Sequence, residues 1–267
     1  MTKKAALRMT EKAALRMATR GGSMEKLLTF LRRPSNVGVE EFARRYLSDH
    51  AALIVGSPGV RRYVANLMDL PQDILEPLGF NAGNWTIDAV DEVWCESLDD
   101  LPDISRLYGD VRMPAVERGT ELTAQGFGFD CFRVTERVHR EWDYAWRHGE
   151  QSPVFKIFFP VRRSPKISHE QFVDHWMQSH VPLALKHHPG MRFYATNDVT
   201  SSLTRGAPEM DGVSVLHFLS AGEFQERMFD SPEGQAIIGA DIVKFINFRA
   251  SGAYVAREFV HTGDGNA

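Results

Sequence analysis

The chain repeats itself. Phe42, Tyr46 and His50 return as Phe172, Trp176 and His180, with the aromatic four residues and the histidine eight residues behind the phenylalanine in both copies. Pro58-Gly59-Val60-Arg61-Arg62-Tyr63, with Asn66 behind it, returns as Pro189-Gly190-Met191-Arg192-Phe193-Tyr194 and Asn197. Lys26, Arg32 and Arg33 match Lys156, Arg162 and Arg163, and Asp88-Ala89-Val90 matches Asp211-Gly212-Val213. Four blocks in one order, offset by about 130 residues, require two copies of one supersecondary unit rather than a single large domain.

The elements of that unit follow from local pattern. Each copy opens with a short apolar strand, Lys26 to Leu31 and Val154 to Val161, and Pro160 places the latter at an edge or a bulge. A helix comes next. Ser168 and Gln171 have capping-box spacing, and Phe172, Trp176 and His180 share one face, as do Phe42, Tyr46 and His50. Pro182 is expected to end or kink the helix just beyond the histidine. The Pro-Gly turns launch a second strand, Val60 to Leu67 and Met191 to Asn197. A third follows at Ala89 to Cys95 and Gly212 to Leu219. A helix opening on Ser231-Pro232 runs toward Val243, and a last strand falls within Phe245 to Val260, or Phe127 to Val138 in the first copy. The order is β-α-β-β-α-β twice, an α+β fold of two ferredoxin-like modules. Their open apolar sheet faces need a cover, and each other's is at hand.

The expected organisation is a basic, helix-prone leader over 1–23, artificial or targeting in origin, a first module over 24–138, a linker over 139–153 packed on the surface, a second module over 154–260 and a tail over 261–267. In the linker Trp142, Tyr144 and Trp146 alternate with charged or small residues. A net charge of −4 gives no basic excess for nucleic acid. No apolar run approaches the length of a membrane span. Cys95 and Cys131 lack metal-type spacing and read as reduced packing residues of a cytoplasmic protein. The pair His187-His188 has no Glu or Cys partner at ligand spacing, so no metal is expected. No glycine-rich phosphate loop follows a strand, so no nucleotide is expected.

The Phe…Tyr/Trp…His helix, the Arg-Tyr-Asn strand, the Asp-Gly-Val strand at Asp211 and the late Asp241…Phe245 pair resemble the EthD domain family, a branch of the dimeric α/β-barrel superfamily. The resemblance spans most of residues 24 to 260 and is clearest in the second copy. It implies a tandem duplication closing on itself as a pseudo-dimer, with a small-molecule pocket in each barrel. The first copy departs from the pattern: Tyr46 stands for Trp176, Trp94-Cys95 for His217-Phe218, and Glu121 lies near the position of Asp241.

His180 and His50 are the candidate general acid/base groups, because imidazole titrates near neutrality. Tyr194 and Tyr63 are candidate donors to a carbonyl or oxyanion. Trp176, Tyr46, His217, Trp94 and Asp241 are expected to line the pockets, with Asp241 orienting a histidine. The alternatives are a histidine bonded to a backbone carbonyl, tyrosines filling a helix–sheet core, and an aspartate capping its helix. The leading expectation is a cofactor-independent lyase, isomerase or cyclase acting on a small aromatic or polyketide-like compound. The alternatives are a cofactor-free monooxygenase of a phenolic substrate and a non-catalytic carrier of a hydrophobic ligand or haem. A homodimer of the whole chain stays open.

Overall fold

The computed structural model describes residues 24–81, 83, 85–98, 116–117, 127–144 and 146–262. The 1–23 leader, Glu121, Gly126 and the second helix expected in the first copy lie outside these residues.

Eight strands close into one barrel: β1 (Glu25–Arg32), β2 (Val60–Leu67), β3 (Ala89–Cys95), β5 (Gly128–Arg140), β6 (Phe155–Val161), β7 (Phe193–Ser202), β9 (Gly212–Phe218) and β10 (Tyr254–Thr262). Around the barrel the order is β5-β1-β3-β2 and then β10-β6-β9-β7, returning to β5. Each half of the chain therefore contributes four contiguous strands in the same order. The halves join edge to edge, antiparallel, through β2–β10 and β5–β7. Closure satisfies the edges that an open sheet would expose. Two short strands, β4 (Val116–Glu117) and β8 (Thr204–Arg205), pair outside the barrel.

The helices pack on the outer surface. In the first half α1 (Val39–Arg45) runs through a π-helical turn, Tyr46–His50, into α2 (Ala51–Val55). In the second half α3 (His169–His175) runs through a π turn, Trp176–His180, into α4 (Val181–His187). The capping box forms, with Ser168 Oγ accepting from Gln171 N–H and Gln171 Oε1 from Ser168 N–H. Pro182 does not end the helix; it sits in the first turn of α4, where a missing N–H is tolerated. Helices α5 (Ala221–Arg227) and α6 (Pro232–Phe245) complete the layer, with Ser231 Oγ accepting from Gly234 N–H at 3.0 Å.

The repeat is visible in the contacts. Asp88 accepts from Arg33 N–H at 2.8 Å and Asp211 from Arg163 N–H at 2.9 Å. Each of those arginines also donates from Nη1 to a carbonyl four residues on, Val37 and Ile167. Pro160 is not on an edge, since β6 lies between β9 and β10. Its carbonyl accepts from Gly252, so its absent N–H faces a side where the β10 ladder has already ended at Tyr254–Phe158.

Strand alternation sends one side chain outward to the helices and the next into the barrel. The interior is half apolar, with Leu28, Phe30, Phe132, Phe158 and Val215 packed together. The other half is charged, which the expectation of two greasy faces meeting did not contain. Glu92 accepts from Lys26 Nζ at 2.8 Å and from Lys156 Nζ at 2.5 Å. Lys26 also donates to Glu136 at 2.6 Å and Lys156 to Glu258 at 2.6 Å. The linker is not merely on the surface, because Tyr144 reaches in and donates to Glu258 at 2.5 Å. Cys95 and Cys131 are buried and form no disulfide. Among the described residues no helix is long and apolar enough to cross a membrane.

Burial alone would raise the Glu258 carboxyl, but Lys156, His217 and the hydrogen bonds from Lys156 and Tyr144 outweigh it and hold it at about 2. Glu92 is lowered as well, burial again being overcome by Lys156 and Lys26. A depressed carboxylate stabilises the fold above its unfolded-state pKa and loses that contribution as pH falls. Urea midpoints are therefore expected to hold above about pH 5 and to drop toward pH 3. Glu92→Gln leaves two buried ammonium groups short of a counter-charge and should cost about 3–5 kcal/mol at neutral pH. An unfolding midpoint unchanged by that substitution would contradict the bridging role.

Candidate functional site

The two halves use the space between helix and sheet in opposite ways. In the first it is filled. Tyr46 and Tyr63 donate to Asp91 Oδ1 at 2.8 and 2.7 Å, and His50 Nε2 lies 2.7 Å from Asp91 Oδ2. All four residues are fully buried. Burial, then the Asp91 charge, pushes the Tyr46 hydroxyl well above its ordinary range. The structure thus places His50, Tyr46 and Tyr63 in a sealed knot around one carboxylate rather than on a pocket wall.

Registers fix which residue replaces Asp91 in the second half. Asp91 pairs with Thr29 on β1, and Ser214 pairs with Phe159 at the matching place on β6. With a serine there the space opens into a cavity of about 300 Å³, lined by Trp176, His180, Ala184, His188, Met191, Tyr194, Ser214 and Leu216 among others. That is at the small end of ligand-pocket volumes. Tyr194 is pushed up to about 12 by burial, against hydrogen bonds from Trp176 and Ser214.

The first half supplies a wall. The segment after the 3-10 helix Gln72–Leu78 brings Gly79, Phe80 and Asn81 to the cavity. Phe80 packs edge-on against Phe159 at 5.1 Å, and Leu75 is buried in the second half's core.

His180 stands at the end of its π turn, with Nδ1 3.1 Å from Asp241 Oδ2 on α6. Asp241 Oδ1 accepts from His175 Nε2 at 2.9 Å. Burial opposes the charge on Asp241, but the two histidines outweigh it and lower its pKa to about 2, so it is ionised at neutral pH. An ionised carboxylate accepts, so His180 carries hydrogen on Nδ1 and, when neutral, presents the Nε2 lone pair. Phe245 packs on both rings, 4.8 Å from His175 and 5.2 Å from His180.

Of the residues picked out from sequence, His180, Tyr194 and Trp176 come together on the cavity, and Asp241 stands behind His180. His217 and Trp94 do not join them. They occupy equivalent places inside the barrel, opposite Lys156 and Lys26. Trp94 donates to Glu136 at 2.8 Å. His217 is lowered to about 4, chiefly by burial. The reason is parity: on β9 Ser214 and Leu216 face the helices, so His217 faces the interior. The pocket is thus outside the barrel, under the helices, and not in its lumen. Among the described residues no group of three or more His, Cys, Asp or Glu is arranged to hold a metal ion.

Sequence reasoning passed over Asp91, Ser214, His188 and the Phe80 segment. Extending the Asp-Ala-Val/Asp-Gly-Val alignment by one residue would have paired Asp91 with Ser214; nothing in the sequence marks Phe80.

Residues 164–249, within the second half, match the family model described as EthD domain. No curated protein matches the chain. Among solved structures, the fold is similar to that of an anthrone oxidase-like protein, with TM-score 0.60, 9% identity and coverage of 92% of this chain and 96% of that one. It is also similar to a candidate monooxygenase from Lactobacillus acidophilus NCFM, with TM-score 0.51, 7% identity and coverage of 90% and 96%.

The cavity roof depends on one glycine. A Cβ on Gly212 would stand 2.3 Å from Trp176 Cζ3. The first half carries Ala89 at that position, facing the smaller Tyr46. Gly212→Ala is expected to destabilise the protein by about 1–3 kcal/mol through overpacking, and adding Trp176→Tyr should restore most of the loss. A double-mutant cycle in urea checks this; additive effects would sever the pairing.

Proposed function

Taking residues 164–249 as an EthD domain on one side of a closed α/β barrel, we propose that the chain is a fused pseudo-dimer with one working pocket, and that this pocket oxygenates an electron-rich phenolic compound with O2 and no cofactor. The observation that carries the reading is the His180–Asp241 pair in the wall of an apolar, aromatic cavity. The two solved structures of similar fold are described as anthrone oxidase-like and as a candidate monooxygenase, which favours oxygenation over a lyase, isomerase or cyclase reaction.

The chemistry asks little of the protein beyond a base and a dry pocket. A phenol's keto tautomer holds a CH2 acidified by the conjugated carbonyl. His180 Nε2 takes one proton from it, with Asp241 stabilising the imidazolium. The substrate anion passes one electron to O2, and the radical pair combines into a C–O bond. The peroxide takes the proton back from His180. Loss of the second C–H proton to Nε2 breaks the O–O bond, and the proton leaves with hydroxide as water. The sum is CH2 + O2 → C=O + H2O. Trp176, Phe80 and Phe159 exclude water from the anion, and Tyr194 and Ser214 supply the polar wall.

His180→Ala should lower turnover by roughly two or more orders of magnitude, the scale of general base catalysis. Asp241→Asn should lower it by about tenfold or more, because its amide can hold the wrong tautomer. Oxygen uptake should match product one to one, with label from 18O2 in the new carbonyl. Product formed at full rate without oxygen would rule the reading out, and a compound returned unchanged would make the protein a carrier.

A further inference from the structure

A second imidazole opens on the same cavity, and the chemistry above does not use it. His188 gives Nδ1 to the carbonyl oxygen of Met228 at 2.5 Å. A carbonyl oxygen accepts and never donates, so Nδ1 must carry the hydrogen. Burial lowers the ring to about 4, with His180 and His187 adding to the effect against the Met228 bond and Asp230. At neutral pH the ring is therefore uncharged, and Nε2 is a bare lone pair. It has no hydrogen-bond partner among the described residues. Nε2 of His187 and the nitrogens of His217 are fully sealed without a hydrogen-bond partner, whereas Nε2 of His188 is not among such sealed atoms and belongs to a ring that lines the cavity.

No side chain donates to it, and Ala184, Met191, Met228 and Ile238 are apolar members of the same lining. Tyr194, Ser214 and Asn81 supply polar groups elsewhere in the lining, and none of them is hydrogen-bonded to His188. His180 repeats the arrangement, its Nδ1 held by Asp241 and its Nε2 without a partner among the described residues. The cavity thus holds two fixed acceptors in apolar walls, and a buried acceptor without a donor is costly.

We propose that the pocket selects an aromatic ligand presenting two hydrogens at once, with a phenolic O–H donating to His188 Nε2 while the acidic hydrogen of the same ring system faces His180 Nε2. This rests on the phenolic reading above and names its substrate class: hydroxylated polycycles in protonated form, not their ethers and not carboxylates. His188 is then the specificity residue, and its fixed tautomer is the device.

The test uses the full chain without oxygen, so that binding is read apart from turnover. The probes are 2-hydroxyanthrone and 2-methoxyanthrone, whose substituent lies clear of the ring carbonyl, followed by quenching of tryptophan fluorescence. The hydroxylated probe should bind roughly 10- to 100-fold more tightly, the scale of leaving one buried acceptor unsatisfied. His188→Leu should erase the preference, and His188→Gln, whose side-chain oxygen can return an acceptor near the Nε2 position, should restore part of it. Circular dichroism confirms that each variant is folded. Equal affinity for both probes in the natural protein, binding of neither, or a preference that survives His188→Leu would overturn the proposal. A preference that follows His188 without any oxidation of the probe in air would uphold it and sink the oxygenase reading instead.

Discussion

One carboxylate holds the two halves in register. Glu92, on β3 of the first half, is shared between Lys26 of its own half and Lys156 of the other. Taking these ions from water costs several kcal/mol each, and the cost is recovered only if every partner is in place. Lys26–Glu136 and Lys156–Glu258 are equivalent pairs from the two copies. Glu92 is the member without a twin, since the second half has Val215 at that position. A symmetric pair of acids there would bring two buried negative charges together. Half of the barrel interior is therefore committed to a polar network and half to apolar packing, and the cavity lies elsewhere.

Elsewhere means under the helices, where the two copies have parted. Asp91 draws His50, Tyr46 and Tyr63 into a closed knot, whereas Ser214 leaves the same volume empty. Gly212 with Trp176 replaces Ala89 with Tyr46, so the larger ring fits against a bare backbone. The first half, freed from holding a pocket, sends Leu75 and Phe80 across to finish the other one. The two halves thus differ in a few side chains on one strand and one helix, one half sealed and the other holding a cavity.

Much of this was legible in the sequence, and the reason is periodicity. Strand ends such as Val60–Leu67 and Ala89–Cys95, the Ser168 capping box and the Ser231-Pro232 start rest on local rules that tertiary contacts did not override. The repeat gave the order of elements along the chain, though not the edge-to-edge closure of the barrel. What escaped is set by parity and by distance along the chain. His217 was assigned to a pocket because it is a histidine on the right strand, but a side chain one residue out of phase faces the other side of the sheet. His188 was weighed only as a metal ligand, since its value lies in a bond to Met228, forty residues away. Asp241, weighed both as orienting a histidine and as capping its helix, lies within hydrogen-bond distance of His175 and His180.

The π turns explain why the Phe-aromatic-His pattern works at all. In an α-helix each step of four residues over-rotates by about 40°, so three groups at i, i+4 and i+8 would spiral off a common face. The turn between Trp176 and His180 is wider and under-rotates, as the bond from Val181 N–H to the Trp176 carbonyl shows. It cancels the drift of the preceding α step and brings His180 back over the sheet. The first half has the same turn between Tyr46 and His50, and the rings of Phe42, Tyr46 and His50 stand in file 5.8 and 5.7 Å apart. Such turns are costly and tend to be kept where function needs them. Here the second half's turn sets His180 in a cavity wall, and the first half's sets His50 against Asp91, so one backbone geometry serves a hollow in one half and a sealed knot in the other.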